Sequence, residues 1–310
     1  MSTKCLADPR QRKGSPVKRI LITGKTSWIG NELEAHLEQF GDNYEVHRVS
    51  LRDDGWKAED WRGFDSLVHT AAIVHQGEGA GDLGGLYDDV NVVLTRDVSI
   101  KAKTAGIPHF IFLSTFAVYG ITGAVNAAPI DLNTLPNPRT WYGKSKLEAE
   151  RQLSDLADDH FAIAIIRPPL VYGPHCTKGN FPRFVQFAAR TPIFPLVHNH
   201  RSMIYSRNLA ELMRLLIENG EGGLFLPQEE QYVCTADMIK QLGCAMGRHI
   251  HLSRPLAAPA SFLARHNEMF GKIFGSDRYS LEASECGYDY RITAISDSIA
   301  QSVTGVHVHA

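Results

Sequence analysis

The sequence predicts an α/β fold: a doubly wound parallel sheet with helices on both faces, followed by a smaller C-terminal lobe interwoven with it. Three observations carry this expectation. Short β-rich runs recur through the first half, helical spacing fills the intervals, and a glycine-bearing turn joins the first run to the first helix. The runs lack polar alternation, which is the mark of strands covered by helices on each side.

In chain order, Arg19 to Thr23 (RILIT) reads as the first strand and Gly24 to Gly30 as a turn. Ile29 to Phe40 reads as a helix with Ile29, Leu33 and Leu37 on one face. Glu45 to Val49, Leu67 to His69, Phe110 to Ser114 and Ala162 to Ile166 read as the second to fifth strands. Beyond Pro168 the regularity weakens, because Pro168, Pro169, Pro174, Pro182, Pro192 and Pro195 cut the chain into short pieces. These read as loops over a cleft, with two later strands and helices such as Leu209 to Glu218.

Composition excludes several classes. A net charge of -2 in 310 residues gives no field to gather nucleic acid or an anionic membrane. Phe161 to Ile166, the most apolar run, is far short of the roughly 18 residues that cross a bilayer. Residues 1–17 carry Lys4, Arg10, Arg12 and Lys13 without the apolar stretch of a signal peptide, so they read as a flexible tail on a cytoplasmic protein. Cys5, Cys176, Cys234, Cys244 and Cys286 are scattered and form no CxxC pair, which suits reduced thiols. His69 is expected to pack at a strand end, and His198, His200, His307 and His309 fall in loop or tail sequence, so no metal site is expected.

The turn Gly24-Lys25-Thr26-Ser27-Trp28-Ile29-Gly30 is the first candidate site. The amino end of a helix offers unpaired N–H groups and partial positive charge, which suits the phosphates of a dinucleotide. Gly24, Ser27, Trp28, Ile29 and Gly30 are the candidate contacts, with Ser27 standing at the middle glycine of a GxxGxxG pattern. A P-loop is excluded, since its leading glycine would fall at Arg19. At the end of the second strand, Ser50 and Arg52 suit a 2′-phosphate, whereas Asp53 suits a free ribose, so NAD and NADP both stay open.

Tyr142 and Lys146 are four residues apart in a stretch that opens a helix, which places them on one face. An ammonium and a cationic nicotinamide ring both favour a phenolate, so Tyr142 can serve as a base. The fourth strand ends in Ser114-Thr115, where ligands bind in parallel sheets, and Thr115 offers a hydroxyl for the substrate oxygen.

These pieces resemble the extended short-chain dehydrogenase/reductases, within them the UDP-glucose 4-epimerase-like group of NAD-dependent epimerases and dehydratases. The resemblance rests on ITGKTSWIG, HTAA (His69 to Ala72), DVN (Asp89 to Asn91), FLSTFAVYG, YGKSK, RPPLVYGP (Arg167 to Pro174) and RSMIYSRNLA (Arg201 to Ala210). It implies a Rossmann domain over residues 18–170 and a mainly substrate-binding lobe over 171–310, with segments of that lobe returning to the sheet. It implies Thr115, Tyr142 and Lys146 as catalytic residues. Ser114, Ala71, Ala72, Asn91 and Pro168 are then placed beside the cofactor, and Asn180 and Arg201 on a nucleotide-sugar diphosphate. A homodimer is also implied.

Relatives that eliminate water carry an Asp-Glu pair after the catalytic Thr. Phe116 and Ala117 stand there, which argues against a dehydratase. The expected activity is a UDP-sugar 4-epimerase with bound NAD. A reductase of 4-keto nucleotide sugars using NAD(P)H is the alternative, and a nucleotide-sensing regulator is the non-enzymatic one.

Overall fold

The computed structural model describes residues 16–73, 83–120 and 127–304. Most of the expected tail, with Cys5, His307 and His309, lies outside the described residues. The strands are β1 (Lys18–Thr23), β2 (Tyr44–Val49), β3 (Ser66–His69), β4 (His109–Leu113), β5 (Ala162–Ile166), β6 (Leu170–Tyr172), β7 (Ile193–Pro195), β8 (Met203–Tyr205), β9 (Gly223–Phe225) and β10 (His251–Ser253). The helices are α1 (Trp28–Leu37), α2 (Leu83–Tyr87), α3 (Leu94–Thr104), α4 (Trp141–Leu156), α5 (Phe181–Arg190), α6 (Ser206–Asn219), α7 (Thr235–Ala245), α8 (Ala257–His266), α9 (Glu268–Phe274) and α10 (Ile295–Ser302).

Six strands form one parallel sheet in the order β2-β1-β3-β4-β5-β9. The chain steps outward from β1 to β2, then crosses back to β3 on the other side of β1. This reversal opens a crevice above the carboxyl ends of β1 and β3, the place where doubly wound sheets take ligands. Side chains along β1 alternate between two cores. Ile20 and Ile22 pack with Leu33 and Leu37 of α1 and with Leu209, Leu212 and Leu216 of α6. Leu21 packs on the opposite face with Val98 of α3 and Leu153 of α4.

A third core lies in the C-terminal lobe, where Phe181 and Phe184 of α5 meet Met238 and Leu242 of α7 and Phe274 of α9. The lobe contributes β9 to the edge of the main sheet, while β6 pairs with β8 and β7 with β10.

Two expectations need correction. Trp28, Ile29 and Gly30 belong to the first turn of α1, which starts directly after the capping Ser27, so the turn proper is Gly24 to Ser27. That helix ends at Leu37 rather than Phe40, and a 3₁₀ segment follows in which Gly41 adopts φ 59°. The region after Pro168 also holds five strands rather than two. Each of these later strands has only three residues, too few for a period to show in the sequence.

Candidate active site

The β1–α1 turn is shaped for close approach by a ligand. Gly24 has φ +84°, and a Cβ there would lie 3.1 Å from the Ala71 amide nitrogen, so the turn and the loop after β3 nearly touch. Ser27 caps α1 by accepting a hydrogen bond from the Gly30 amide at 3.3 Å. Arg48, at the end of β2, donates to the Gly24 carbonyl at 2.9 Å, to Asn31 Oδ1 at 3.0 Å and to Glu34 at 2.8 Å. It ties the turn, α1 and β2 together. The glycine cradle, the open helix amino terminus and the adjacent Ala71 and Ala72 fit a dinucleotide pyrophosphate.

Beyond the end of β2, Asp53 Oδ1 accepts from the Gly55 amide at 2.9 Å and caps a 3₁₀ turn. Arg52 extends toward the phosphate turn and donates to Thr26 Oγ1 at 3.2 Å. Ser50 Oγ accepts from the Arg52 amide at 3.4 Å.

Tyr142 and Lys146 lie on α4, which Thr140 caps through a 3.1 Å bond from the Gly143 amide. Gly143 permits the helix to sit against the 116–119 turn, since a Cβ would fall 2.6 Å from the Ala117 carbonyl oxygen. That approach brings the Tyr142 phenol into a hydrogen bond with Thr115, the residue that follows Ser114 beyond β4. Burial pushes the phenol up to about 12, with the Thr115 hydrogen bond working against it and the nearby Tyr87 adding to it. The Tyr87 and Tyr142 ring centroids are 6.4 Å apart.

Lys146 lies one turn deeper and is 2 % exposed. Its ammonium donates to the Leu113 carbonyl at 2.8 Å and sits 4.4 Å from the centroid of the Phe112 ring. Burial pulls it down to about 7, while Glu150 pulls the other way. His69 stays neutral in this setting, pushed down to about 3 by burial and by the Lys146 charge. Its ring nitrogens pair with Thr23 at 2.8 Å and Thr95 at 3.0 Å, the packing role expected for it.

The remaining candidates are placed as follows. The Asn91 amide is spent on protein, accepting from the Ile73 amide at 2.9 Å and donating to the Ile73 carbonyl at 3.2 Å and to Ser145 Oγ at 3.1 Å. The Ser145 hydroxyl in turn donates to the Tyr142 carbonyl at 3.0 Å. Asn91 thus joins the loop after β3 to the catalytic helix from within a π-helical turn, Asp88–Val93. The Ser114 hydroxyl donates to Glu150. The Pro168 carbonyl accepts from the Phe116 amide at 2.9 Å. Asn180 stands at the start of α5 with no side-chain cap bond. The Arg201 guanidinium faces inward, donating to the Lys272 and Ile273 carbonyls at 2.5 and 3.2 Å, with Asp277 at 3.8 Å. Among the described residues no group of His, Cys, Asp and Glu is arranged to hold a metal.

Sequence reasoning missed Arg48, Tyr87, Glu150 and Arg167. Glu150 accepts from Arg167 Nε at 3.0 Å and Nη2 at 2.5 Å, while Arg167 Nη1 donates to the Tyr119 hydroxyl at 2.6 Å. One signal was available: Glu150 follows Lys146 by four residues, on the same helix face.

The profile of the NAD dependent epimerase/dehydratase family matches residues 20–226. The chain belongs to that family. It is 29% identical over 281 residues to a UDP-glucose 4-epimerase of Vibrio cholerae, covering 83% of each chain. The fold matches UDP-glucuronic acid 4-epimerase from Bacillus cereus in complex with NAD, at TM-score 0.70, 18% identity and coverage of 92% of this chain and 97% of that one. It also matches RMD from Pseudomonas aeruginosa complexed with NADPH, at TM-score 0.73, 18% identity and coverage of 93% and 99%. Among the described residues no helix is long and apolar enough to cross a membrane.

The buried lysine of this family site has a measurable consequence. Its pKa in the fold, about 7, is below the ordinary 10.5, so between those values the unfolded chain binds more protons and stability rises with pH. The burial cost is therefore largest below pH 7. Lys146→Met is expected to raise the melting temperature of the cofactor-free protein at about pH 6 and to lose most of that gain by about pH 10. Melting curves in which the gap between variant and wild type does not narrow with pH contradict the assignment.

Proposed function

We propose that this chain is a UDP-sugar 4-epimerase that oxidises and re-reduces the sugar at C4 with a retained nicotinamide dinucleotide. The observation that carries the reading is the Thr115–Tyr142 hydrogen bond with the buried Lys146 one turn below it. The similarity to a UDP-glucose 4-epimerase over 83% of the chain supports the choice of reaction. When bound, the nicotinamide takes a hydride from the sugar carbon and returns it. Gly24, Ser27, Gly30, Ala71 and Ala72 would hold the dinucleotide, and Lys146 would orient it. Thr115 holds the C4 oxygen while Tyr142 removes its proton, and the Lys146 ammonium favours the phenolate that results. The 4-keto sugar turns in the pocket, Tyr142 returns the proton, and no net redox change remains. Phe116 packs 4.8 Å from the Tyr279 ring in an aromatic cluster where a dehydratase would place an acid.

Tyr142→Phe is expected to lower turnover of UDP-glucose to UDP-galactose by about 10²- to 10⁴-fold with cofactor affinity unchanged. Turnover equal to that of the wild type removes Tyr142 as the base.

A second reading, a 4-keto nucleotide-sugar reductase using NADPH, is favoured by the adenosine end of the site. Asp53 Oδ1 is engaged in its cap, while Arg52 reaches the Gly24–Ser27 turn through Thr26, which would suit a 2′-phosphate there. We therefore expect NADP(H) to bind more tightly than NAD(H), and Arg52→Ala to weaken NADP(H) by about tenfold or more with little effect on NAD(H). Equal losses for both cofactors in a binding titration argue against a 2′-phosphate contact. Consumption of NADPH only on addition of a 4-keto sugar selects the reductase over the epimerase.

The homodimer reading has an apolar surface to support it. Leu86, Val93 and Ile100 are exposed apolar side chains along 83–104, with exposures of 41%, 49% and 40%. Val93→Glu is expected to convert the dimer to monomer in sedimentation equilibrium. A wild type that sediments as a monomer at micromolar concentration contradicts it.

A further inference from the structure

Trp28 joins two parts of the site that the chain keeps far apart. It is the first residue of α1, directly after the capping Ser27, so its backbone belongs to the phosphate turn. Its indole N–H leaves that turn and donates to the Pro174 carbonyl at 2.9 Å, across 146 residues of sequence. The ring also packs there, since a Cβ on Gly173 would lie 3.4 Å from Trp28 Cζ2. Glu32, one helical turn along the same face of α1, accepts from Ser206 Oγ at 2.5 Å. Ser206 also closes on Gly173, its Cβ 3.0 Å from that same Cβ position. One face of α1 therefore grips residues 173–174 both directly and through the start of α6.

The gripped segment is conformationally demanding. His175, with φ 56°, is the one non-glycine residue with positive φ among the described residues. Such a backbone persists only where surrounding contacts enforce it. The Cys176 amide closes the turn onto the Gly173 carbonyl at 3.4 Å, and four residues later Asn180 opens α5. The segment leads from the phosphate turn to the wall of the C-terminal lobe.

We infer that Trp28 is a positioning residue that couples occupation of the dinucleotide turn to the conformation of the 173–180 segment, and through it to sugar-nucleotide binding. This rests on the reading of the C-terminal lobe as the substrate side. Phosphates drawn onto the α1 amino terminus fix the backbone of Trp28. The fixed indole then holds the Pro174 carbonyl and with it the strained turn at His175. Linkage makes the effect reciprocal, so substrate held by the lobe tightens the cofactor by the same factor. Phenylalanine at position 28 keeps an aromatic ring in place and removes the N–H donor, which isolates the contact.

The test is hydrogen exchange on the wild type and on Trp28→Phe, each with and without saturating NAD or NADPH, alongside steady-state kinetics with UDP-glucose. In the wild type, cofactor slows exchange in both 24–30 and 173–180. In the variant it slows exchange in 24–30 alone, and KM for the sugar nucleotide rises about fivefold or more while kcat changes less. Equal protection of 173–180 in both proteins overturns the coupling. Protection absent from 24–30 in the variant reduces Trp28 to a cofactor contact and overturns it as well. If the exchange pattern holds but no UDP-sugar is turned over, the coupling stands and the proposed substrate falls.

Discussion

The site depends on one buried ion pair. Glu150 and Arg167 are 3 % and 7 % exposed, and their bidentate contact fastens α4 to the end of β5. The same carboxylate accepts from Ser114 at the end of β4, and the guanidinium reaches Tyr119 beyond it. The Arg167 carbonyl accepts from the Tyr279 hydroxyl at 2.8 Å, which brings in the C-terminal lobe. A buried pair of this kind adds little net stability compared with an apolar filling, but losing one partner leaves an uncompensated charge. Its value lies in geometry. With α4 fixed at Glu150, the preceding turns place Lys146 under the β4 carboxyl end and Tyr142 against Thr115.

Around that fixed helix the fold arranges the rest by topology. The strand order reverses beside β1, so the phosphate turn and the loop after β3 face each other across the crevice. Asn91 braces this loop against α4 through Ser145, and Arg48 braces the turn against β2. The C-terminal lobe joins the sheet by several routes: β9 at the sheet edge, Tyr279 beside Phe116, and the 173–176 turn beside Trp28. The β1–α1 turn and the C-terminal lobe thus pack on one another directly.

Much of this was legible in the sequence. The first five strands were placed to within one residue: the inner ones leave short apolar runs such as RILIT and FIFLS, whereas β2, at the sheet edge, alternates polar and apolar side chains instead of forming the unbroken run expected. The turn, Tyr142, Lys146 and Thr115 were legible because each is a local pattern at the end of a strand or the start of a helix. What sequence hid is long-range. The Arg201 guanidinium meets carbonyls 71 and 72 residues away, and the indole of Trp28 finds its acceptor 146 residues on. The cap that Asp53 makes to the Gly55 amide was likewise not announced by the sequence. The short strands of the second lobe are held by tertiary pairing, so no local period announces them.

The central claim is that Tyr142 becomes a base only when further positive charge is brought beside it, since burial, with Tyr87 adding to it, pushes the phenol up to about 12 against the pull of the Thr115 hydrogen bond. The direct measurement is an ultraviolet difference titration of phenolate, wild type minus Tyr142→Phe, with and without the oxidised dinucleotide. The account predicts a tyrosine that titrates near 12 in the free protein and falls by more than about one unit when the cofactor binds. A titration that the cofactor leaves unmoved would contradict it.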